Sequence, residues 1–229
     1  MLVLWMAGFL AFAPPTPPAP PTPLETARDL QDRPALEKLV EQFSAAAAKA
    51  PNDADAQYRL ALACSYQAEV FIELHDKKSG QQAAERGIRA GEKAVSLNGN
   101  SAEYLRVLGT LYGQAIVDLP SGLNYGPKAK EAINKAVEKA PKSSAVYVAR
   151  GVGNYYLPSQ LGGGAALAIA DFRKAIDLDS RNAEAWVWLG IALRKQNQDA
   201  EARKAFGKAL ALEPSRVWVR QQLEKTPAK

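Results

Sequence analysis

The residues best suited to chemistry in this sequence are its one cysteine, Cys64, and its one histidine, His75. A thiol beside an imidazole can act as a nucleophile when the two side chains lie within hydrogen-bond reach. These residues are eleven positions apart on one predicted helix, which separates their backbones by about 16 Å. The spacing excludes a nucleophilic pair. We expect Cys64 in the core and His75 near a helix C-terminus, where an imidazole suits the helix dipole.

Glycines and acidic pairs give the other candidate sites. Gly162 to Gly164 precede a predicted helix, as a phosphate cradle would, but no strand comes before them and no Gly-Lys-Ser/Thr follows, which favours a flexible turn. Asp53 with Asp55, and Asp177 with Asp179, fall at predicted helix ends and are interpreted as caps and solvated edges. One cysteine and one histidine cannot supply a Cys/His zinc site. We therefore predict no catalytic residue, no cofactor and no metal.

The composition favours one folded unit. The chain has 229 residues, 47% of them hydrophobic, which is enough for one substantial core. Its 29 basic residues exceed its 24 acidic ones, but the two signs are interleaved and form no basic patch. A nucleic-acid partner is therefore not expected.

The N-terminal residues indicate export. Met1 to Ala13 is apolar and ends in the A-x-A arrangement of Ala11 and Ala13, which signal peptidase accepts. The run is too short to span a bilayer as a helix, and no Lys or Arg precedes it, so a short uncleaved membrane anchor at residues 1–13 stays as an alternative. Pro14 to Pro23 predicts an extended spacer. We expect an exported protein, periplasmic or secreted.

From Leu24 onward the sequence predicts helices, because apolar residues recur at helical spacing and nowhere alternate as in a strand. A ladder of such residues precedes Pro214, namely Ala209, Phe206 and Ala202. The same offsets recur upstream at Ala175, Phe172, Ala168; at Ala136, Ile133, Ala129; at Ala94, Gly91, Gly87; and at Ala46, Phe43, Leu39. A second ladder starts six residues after the residue that ends each of these ladders. It reads Trp186, Leu189, Gly190 and Leu193 in one copy and Leu105, Leu108, Gly109 and Tyr112 in another.

This double ladder resembles the tetratricopeptide repeat, and residues 185–214 match its pattern at nearly every position. The resemblance implies an all-α, right-handed α-solenoid of helix-turn-helix repeats over residues 24–225, followed by a tail at 226–229. Small residues at 61, 109, 151 and 190 would let paired helices approach closely, and large residues would fill the space between repeats. We count an N-terminal half-repeat, four full repeats and a C-terminal capping helix.

Only the last repeat has the family's standard spacing, since Ala175 and Ala209 lie 34 residues apart. In the first full repeat the surplus residues predict about two extra turns on each helix. In the next two repeats the surplus is assigned to the turns between paired helices, at 118–127 and 156–164.

The resemblance also implies a function, which is protein or peptide binding in a concave groove without catalysis. The groove positions are Tyr58, Leu62, Arg106, Thr110, Val148, Val152, Tyr155, Val187, Ile191 and Arg194. We predict a scaffold or adaptor of the bacterial envelope whose partner is a protein or peptide, with self-association left open. The alternative is an accessory subunit of a transport or enzyme complex that presents a small ligand or substrate, with the segments 118–127 and 156–164 as a lid and Tyr125, Tyr155 and Tyr156 around it.

Overall fold

A computed structural model describes residues 20–228 as a series of α-helices joined by short connections. The helices are α1 (Pro23–Asp29), α2 (Arg33–Lys49), α3 (Ala54–Glu73), α4 (Lys77–Leu97), α5 (Ala102–Gln114), α6 (Leu119–Lys139), α7 (Ser144–Tyr156), α8 (Ala165–Leu178), α9 (Ala183–Lys195), α10 (Asp199–Leu212) and α11 (Val217–Glu224). Residues 20–228 contain no strand, which confirms the all-helical prediction. In this same range no helix has the length and apolar character needed to cross a membrane.

The predicted export segment, residues 1–13, lies outside the described residues, as does most of the predicted proline spacer. The spacer ends one residue earlier than its prediction, because Pro23 opens α1 instead of closing an extended segment. Thr22 caps α1 in a capping box with Glu25, so the sequence carried a recognisable helix start at this point.

Short polar side chains start the helices. The Asp53 carboxylate accepts hydrogen bonds from the amides of Asp55 at 2.9 Å and Ala56 at 3.3 Å, which confirms its capping role at α3. Helix α3 ends at Glu73, and His75 lies just beyond it with a φ of 64°, which lets the Asp76 amide donate to the Phe71 carbonyl at 2.8 Å. This is the Schellman arrangement, so the backbone of His75, rather than a charge on its imidazole, ends the helix.

The helices pack as hairpins. Each of α3, α5, α7 and α9 packs most closely against the helix that follows it. A Cβ atom on Gly109 would lie 2.7 Å from the Ile133 side chain, and one on Gly190 would lie 2.7 Å from the Phe206 ring. Only a residue without a side chain fits there. The predicted close approach of paired helices at these glycines is confirmed.

Alanines join one hairpin to the next. The ladder alanines of the four full repeats, Ala94, Ala136, Ala175 and Ala209, are at most 1% exposed, as predicted. In α2 the ladder prediction is wrong, because Ala46 is exposed and Ala47 is buried. Helix α2 packs mainly against α3, and this contact turns Leu36, Val40 and Ala47 inward.

Helix lengths confirm the prediction for the first full repeat. Helices α3 and α4 have 20 and 21 residues, whereas α9 and α10 have 13 and 14. The surplus of seven residues in each is about two turns. This repeat therefore extends well beyond the edge of the others.

The predicted turn at 118–127 is helical, which corrects the sequence assignment. Asp118 and Ser121 form a capping box, and α6 runs from Leu119 to Lys139 with Pro127 inside it. Pro120 lies in the first turn, where its missing amide has no helical partner to lose. The predicted turn at 156–164 does interrupt the helices, with Gly162 left-handed at a φ of 83°.

Candidate functional site

The inner side of the solenoid is formed by the first helix of each pair. Helices α3, α5, α7 and α9 contact one another in series, whereas α4, α6, α8 and α10 make fewer contacts with each other. In a curved stack of helices, those on the inner side lie closer to one another than those on the outer side. We call the solvent-facing side of α3, α5, α7 and α9 the inner wall. The ten predicted groove residues all lie on these four helices.

In the first half of the inner wall the predicted residues remain partly exposed. Tyr58 and Leu62 of α3, with Arg106 and Thr110 of α5, are all half-buried. The Tyr58 ring stacks on Tyr104 at 4.8 Å between centroids. This half therefore presents an aromatic face, an aliphatic side chain and a cation beside one another.

One carboxylate organises this part of the wall. Glu103 accepts a hydrogen bond from the Tyr58 hydroxyl at 3.0 Å and two from the Arg106 guanidinium, at 2.7 Å and 2.6 Å. Burial opposes the charge on Glu103, but the hydrogen bonds and charge of Arg106, with the Tyr58 hydroxyl, lower its pKa. Burial and the nearby Glu103 raise the pKa of Tyr58, so its hydroxyl stays a donor. The three side chains are thus held in one arrangement.

In the second half of the wall the structure buries three of the six predicted residues. Val148, Val187 and Ile191 are 7%, 1% and 6% exposed, so they pack in the core and are removed from the predicted groove. Val152 and Tyr155 are half-buried, and Tyr155 meets Trp188 edge-on at 5.9 Å. Much of this half therefore contacts the chain itself.

Arg194, the last predicted groove residue, binds the C-terminal segment. Its guanidinium donates to the Gln222 carbonyl at 3.0 Å, to the Gln222 side chain at 2.6 Å and to the Thr226 hydroxyl at 3.1 Å. Trp218 of α11 lies 5.6 Å from Trp188 of α9. Helix α11 thus covers the end of the inner wall.

The two ends of the described chain meet at Arg216. Its guanidinium is fully buried and donates to Glu69 at 2.6 Å, to Glu73, and to the Arg28 carbonyl at 3.3 Å. The Asp29 carboxylate lies 3.8 Å from it. We call the junction of α11 with α1 and the end of α3 the seam.

Further polar contacts cross the seam. The Gln221 side chain donates to Gln31 at 3.2 Å, and the guanidinium of Arg28 lies 3.6 Å from Glu213. Residues near position 30 thus contact residues near position 215, so the last helix of the solenoid packs against its first helix.

Burial in the seam changes the pKa values of its charged side chains. Burial raises the pKa of Glu69 to about 8, against the opposing effect of Arg216, and burial also raises the pKa of Glu73. Burial opposes the charge on Arg216, but Glu69 and Glu73 raise its pKa above the ordinary value. The seam therefore holds a guanidinium that stays charged among carboxylates that resist ionisation.

Sequence reasoning missed the seam, although one signal was available. Glu69 and Glu73 are one helical turn apart within the otherwise apolar run AEVFIEL. Two carboxylates on one face of such a run need a buried partner. Nothing in the local pattern identifies Arg216 as that partner, because 143 residues separate it from Glu73.

The structure separates the remaining candidate chemical groups. Cys64 is fully buried, and burial raises the pKa of its thiol to about 11, whereas His75 is exposed beyond the end of α3. Among residues 20–228 no group of three His, Cys, Asp or Glu side chains is placed to hold a metal ion. The prediction that Cys64 is a packing residue is confirmed.

The tyrosines of the predicted lid lie in two clusters. Tyr125 stacks on Tyr112 at 5.9 Å, while Tyr155 and Tyr156 contact each other and Trp188. Tyr125 also belongs to α6, not to a loop. Tyr125 therefore stacks with a different partner from Tyr155 and Tyr156.

Helical hairpins that stack in series around a curved inner wall define an α-solenoid. Residues 183–216, which form α9, α10 and the connection to α11, match the family model described as tetratricopeptide repeat. These residues therefore resemble one tetratricopeptide repeat, and the hairpins before them have the same fold. A search of the curated proteins finds no match.

Solved structures with the same fold include two of similar size. A thermophilic TPR protein from Thermus thermophilus superposes with a TM-score of 0.64 at 19% identity, covering 89% of this chain and 96% of that one. The HusA haemophore from Porphyromonas gingivalis superposes with a TM-score of 0.57 at 20% identity, covering 76% of this chain and 86% of that one. At these identities both likenesses show the fold alone.

Proposed function

We propose that this chain is a non-catalytic protein-interaction scaffold that binds a segment of a partner protein along the first half of its inner wall. One observation carries the proposal: Tyr58, Leu62, Arg106 and Thr110 stay partly exposed side by side on α3 and α5. Tyrosine and arginine are enriched among the residues that carry most of the binding energy in protein interfaces. The shared Glu103 holds both before a partner arrives, which reduces the entropy lost on binding.

The surroundings of this surface fit a peptide better than a small molecule. The wall is a strip along two adjacent helices, and the polar groups of Tyr58 and Arg106 already bond Glu103. An extended segment or a helix could lie against Leu62 and the Tyr58 ring while it hydrogen-bonds with Thr110.

Photocrosslinking tests the proposal directly. A photoreactive amino acid is placed at Leu62 or Thr110 in the full chain, with matched probes at Lys130 and Lys204, which are exposed on the outer helices α6 and α10. We expect the same crosslinked partner from both inner-wall positions and none from the outer positions. Crosslinks only from Lys130 or Lys204 would contradict the proposal.

Substitutions then measure the wall's contribution to binding. Tyr58→Ala and Arg106→Ala should each weaken binding of the crosslinked partner by about tenfold or more, the effect of losing a central contact. Arg59→Ala is the control, because Arg59 is exposed on the same helix and contacts only Asp55. Equal losses in all three variants would show that the effect is general charge or stability.

We also propose that the chain acts in the bacterial envelope. The apolar residues 1–13 with their A-x-A ending support export, and the proline-rich residues 14–23 would space the solenoid from the membrane or export site. After expression in a bacterial host, the mature protein should begin near Pro14 and fractionate with the periplasm. An intact chain in the membrane fraction would instead favour the anchor, and an intact chain in the cytosol would refute export.

A further inference from the structure

The carboxylates around Arg216 form a chamber with the geometry of an arginine site. The chamber, defined by Asp29, Glu69 and Glu73, surrounds a guanidinium with no exposed surface. One terminal nitrogen bonds two glutamates, and the other bonds Glu73 and the Arg28 carbonyl. A planar fork can satisfy these separate acceptors at once, whereas a lysine ammonium is a single point charge. The chamber therefore selects arginine.

The chamber has more carboxyl groups than cations. Four carboxylates, those of Asp29, Glu69, Glu73 and Glu213, face the two guanidiniums of Arg28 and Arg216. The more distant Glu184 adds to the negative field felt by Glu69 and Glu73. Without Arg216 the carboxyl groups of Glu69 and Glu73 would lose the guanidinium that donates to them, and a second guanidinium would restore these hydrogen bonds.

Arg216 fills the chamber imperfectly. Its Nε is buried and has no hydrogen-bond partner, with the nearest Asp29 oxygen 3.8 Å away. Helix α11, which follows it, has only eight residues and no side-chain cap at its N-terminus. A cavity of about 330 Å³ opens beside the seam, lined by Glu73, Leu74, His75, Gln221, Glu224 and Lys225. A short, poorly capped element beside a cavity is easily displaced.

We propose that the chamber of Asp29, Glu69 and Glu73 is a binding site for an arginine side chain of a partner protein, and that Arg216 occupies this site until the partner displaces it. The inference rests on the proposed function and deepens it, since it names the chemistry of the bound segment. Displacement would release α11 and uncover Arg194 and the second half of the inner wall.

A peptide pair tests the proposal on the full chain. The probe is a fluorescent five-residue peptide with arginine at its centre and alanine elsewhere, and its control carries citrulline, the neutral isostere of arginine. Arg216→Ala should bind the arginine peptide about tenfold more tightly than the unsubstituted chain, because an occupied site lowers apparent affinity by the fraction that is open. Arg220→Ala, which removes an exposed arginine of α11, should leave affinity unchanged.

Two further variants keep the test decisive. Adding Glu69→Gln and Glu73→Gln to Arg216→Ala should abolish the gain. If Arg216→Ala does not fold, Arg216→Lys replaces it, and the expected gain is smaller because an ammonium still competes. The proposal is overturned if the folded variant shows no gain, if the citrulline peptide gains equally, or if the gain survives both glutamine substitutions.

Hydrogen exchange tests separately whether the bound peptide displaces Arg216 and α11. The arginine peptide should speed amide exchange of residues 217–224 in the unsubstituted chain, and unchanged exchange at saturating peptide would overturn the displacement. This result is independent of the inner-wall crosslinks. If crosslinking from Leu62 and Thr110 fails while the peptide binds, the inner-wall function is lost and the chamber stands; the reverse outcome removes only the chamber.

Discussion

The two halves of the inner wall occupy equivalent repeat positions but differ in what they contact. On α3 and α5 the groove positions hold Tyr58, Leu62, Arg106 and Thr110, which stay partly exposed. On α9 the same positions hold Val187 and Ile191, which are buried, and Arg194, which binds the C-terminal segment. The difference shows that position within a repeat does not by itself decide exposure.

The first half also differs because its long helix carries the seam. The extra turns of α3 extend the chain to Glu69 and Glu73, where Arg216 pairs with them. A helix of the length of α9 would stop before these residues. The feature that lengthens the first repeat is therefore the feature that allows the ends of the solenoid to meet.

Replacing Arg216, the buried cation of the seam, should have the largest effect on the free energy of unfolding. Arg216→Ala should lower the free energy of unfolding by about 3–5 kcal/mol, because it leaves buried carboxylates without their partner. Arg220→Ala should change it by less than about 0.5 kcal/mol, since that side chain is exposed. Urea unfolding followed by circular dichroism measures both. Equal small effects would show that the seam adds nothing to stability.

The packing of the second half can be broken with one methyl group. A Cβ atom on Gly151 would enter the Phe172 ring, so Gly151→Ala should destabilise the fold by about 1–3 kcal/mol. Gly153 lies on the same helix with open space beside it, so Gly153→Ala should stabilise by up to about 1 kcal/mol. Thermal unfolding of the two variants should shift in opposite directions. Shifts of the same sign would contradict the assigned close approach.

Substituting one arginine in each half of the inner wall compares the two halves directly. Arg194→Ala should cost about 1.5 kcal/mol and speed amide exchange in α11, because it removes three hydrogen bonds to the C-terminal segment. Arg106→Ala removes bonds to Glu103 of its own helix and should cost under about 1 kcal/mol, with α11 unchanged. Faster exchange of α11 in both variants would mean that the halves are not independent.

The smallest expected effect is a pH dependence of the seam. Burial raises the pKa of Glu69 from its ordinary 4.5 to about 8, so the folded chain keeps a proton that the unfolded chain releases. Stability should therefore fall as pH rises from about 5 to about 8. Glu69→Gln should flatten this slope in thermal unfolding measured across that range. An unchanged slope would assign the effect to other groups.

The sequence predicted those features that depend on contacts within one hairpin. Gly109, Gly151 and Gly190 lie opposite their ladder partners because both residues belong to adjacent helices with a fixed register. The extra turns of α3 and α4 were likewise visible in the spacing of the ladders. Contacts of this kind can be predicted without knowing how the repeats curve along the whole solenoid.

Other features were beyond sequence reasoning for physical reasons. Whether α11 reaches α1 depends on the summed rotation of every repeat, and small changes in each would separate Arg216 from Glu69. The assignment of 118–127 as a turn failed differently, because Pro120 and Ser121 start a helix as readily as they end one. Burial of Val187 and Ile191 depends on how tightly neighbouring repeats pack around them, which the repeat pattern does not specify.

A distance measurement tests most directly whether the chain closes on itself through Arg216. Spin labels can be attached at Leu30→Cys and Arg220→Cys, two exposed positions on either side of the seam. Cys64 should stay unlabelled, because it is fully buried with its thiol pKa raised to about 11. Pulsed electron paramagnetic resonance should give one narrow, short distance between the two labels in the otherwise unsubstituted chain. After Arg216→Ala the distribution of distances should be broad and longer. A broad distribution in both chains would contradict the closed seam.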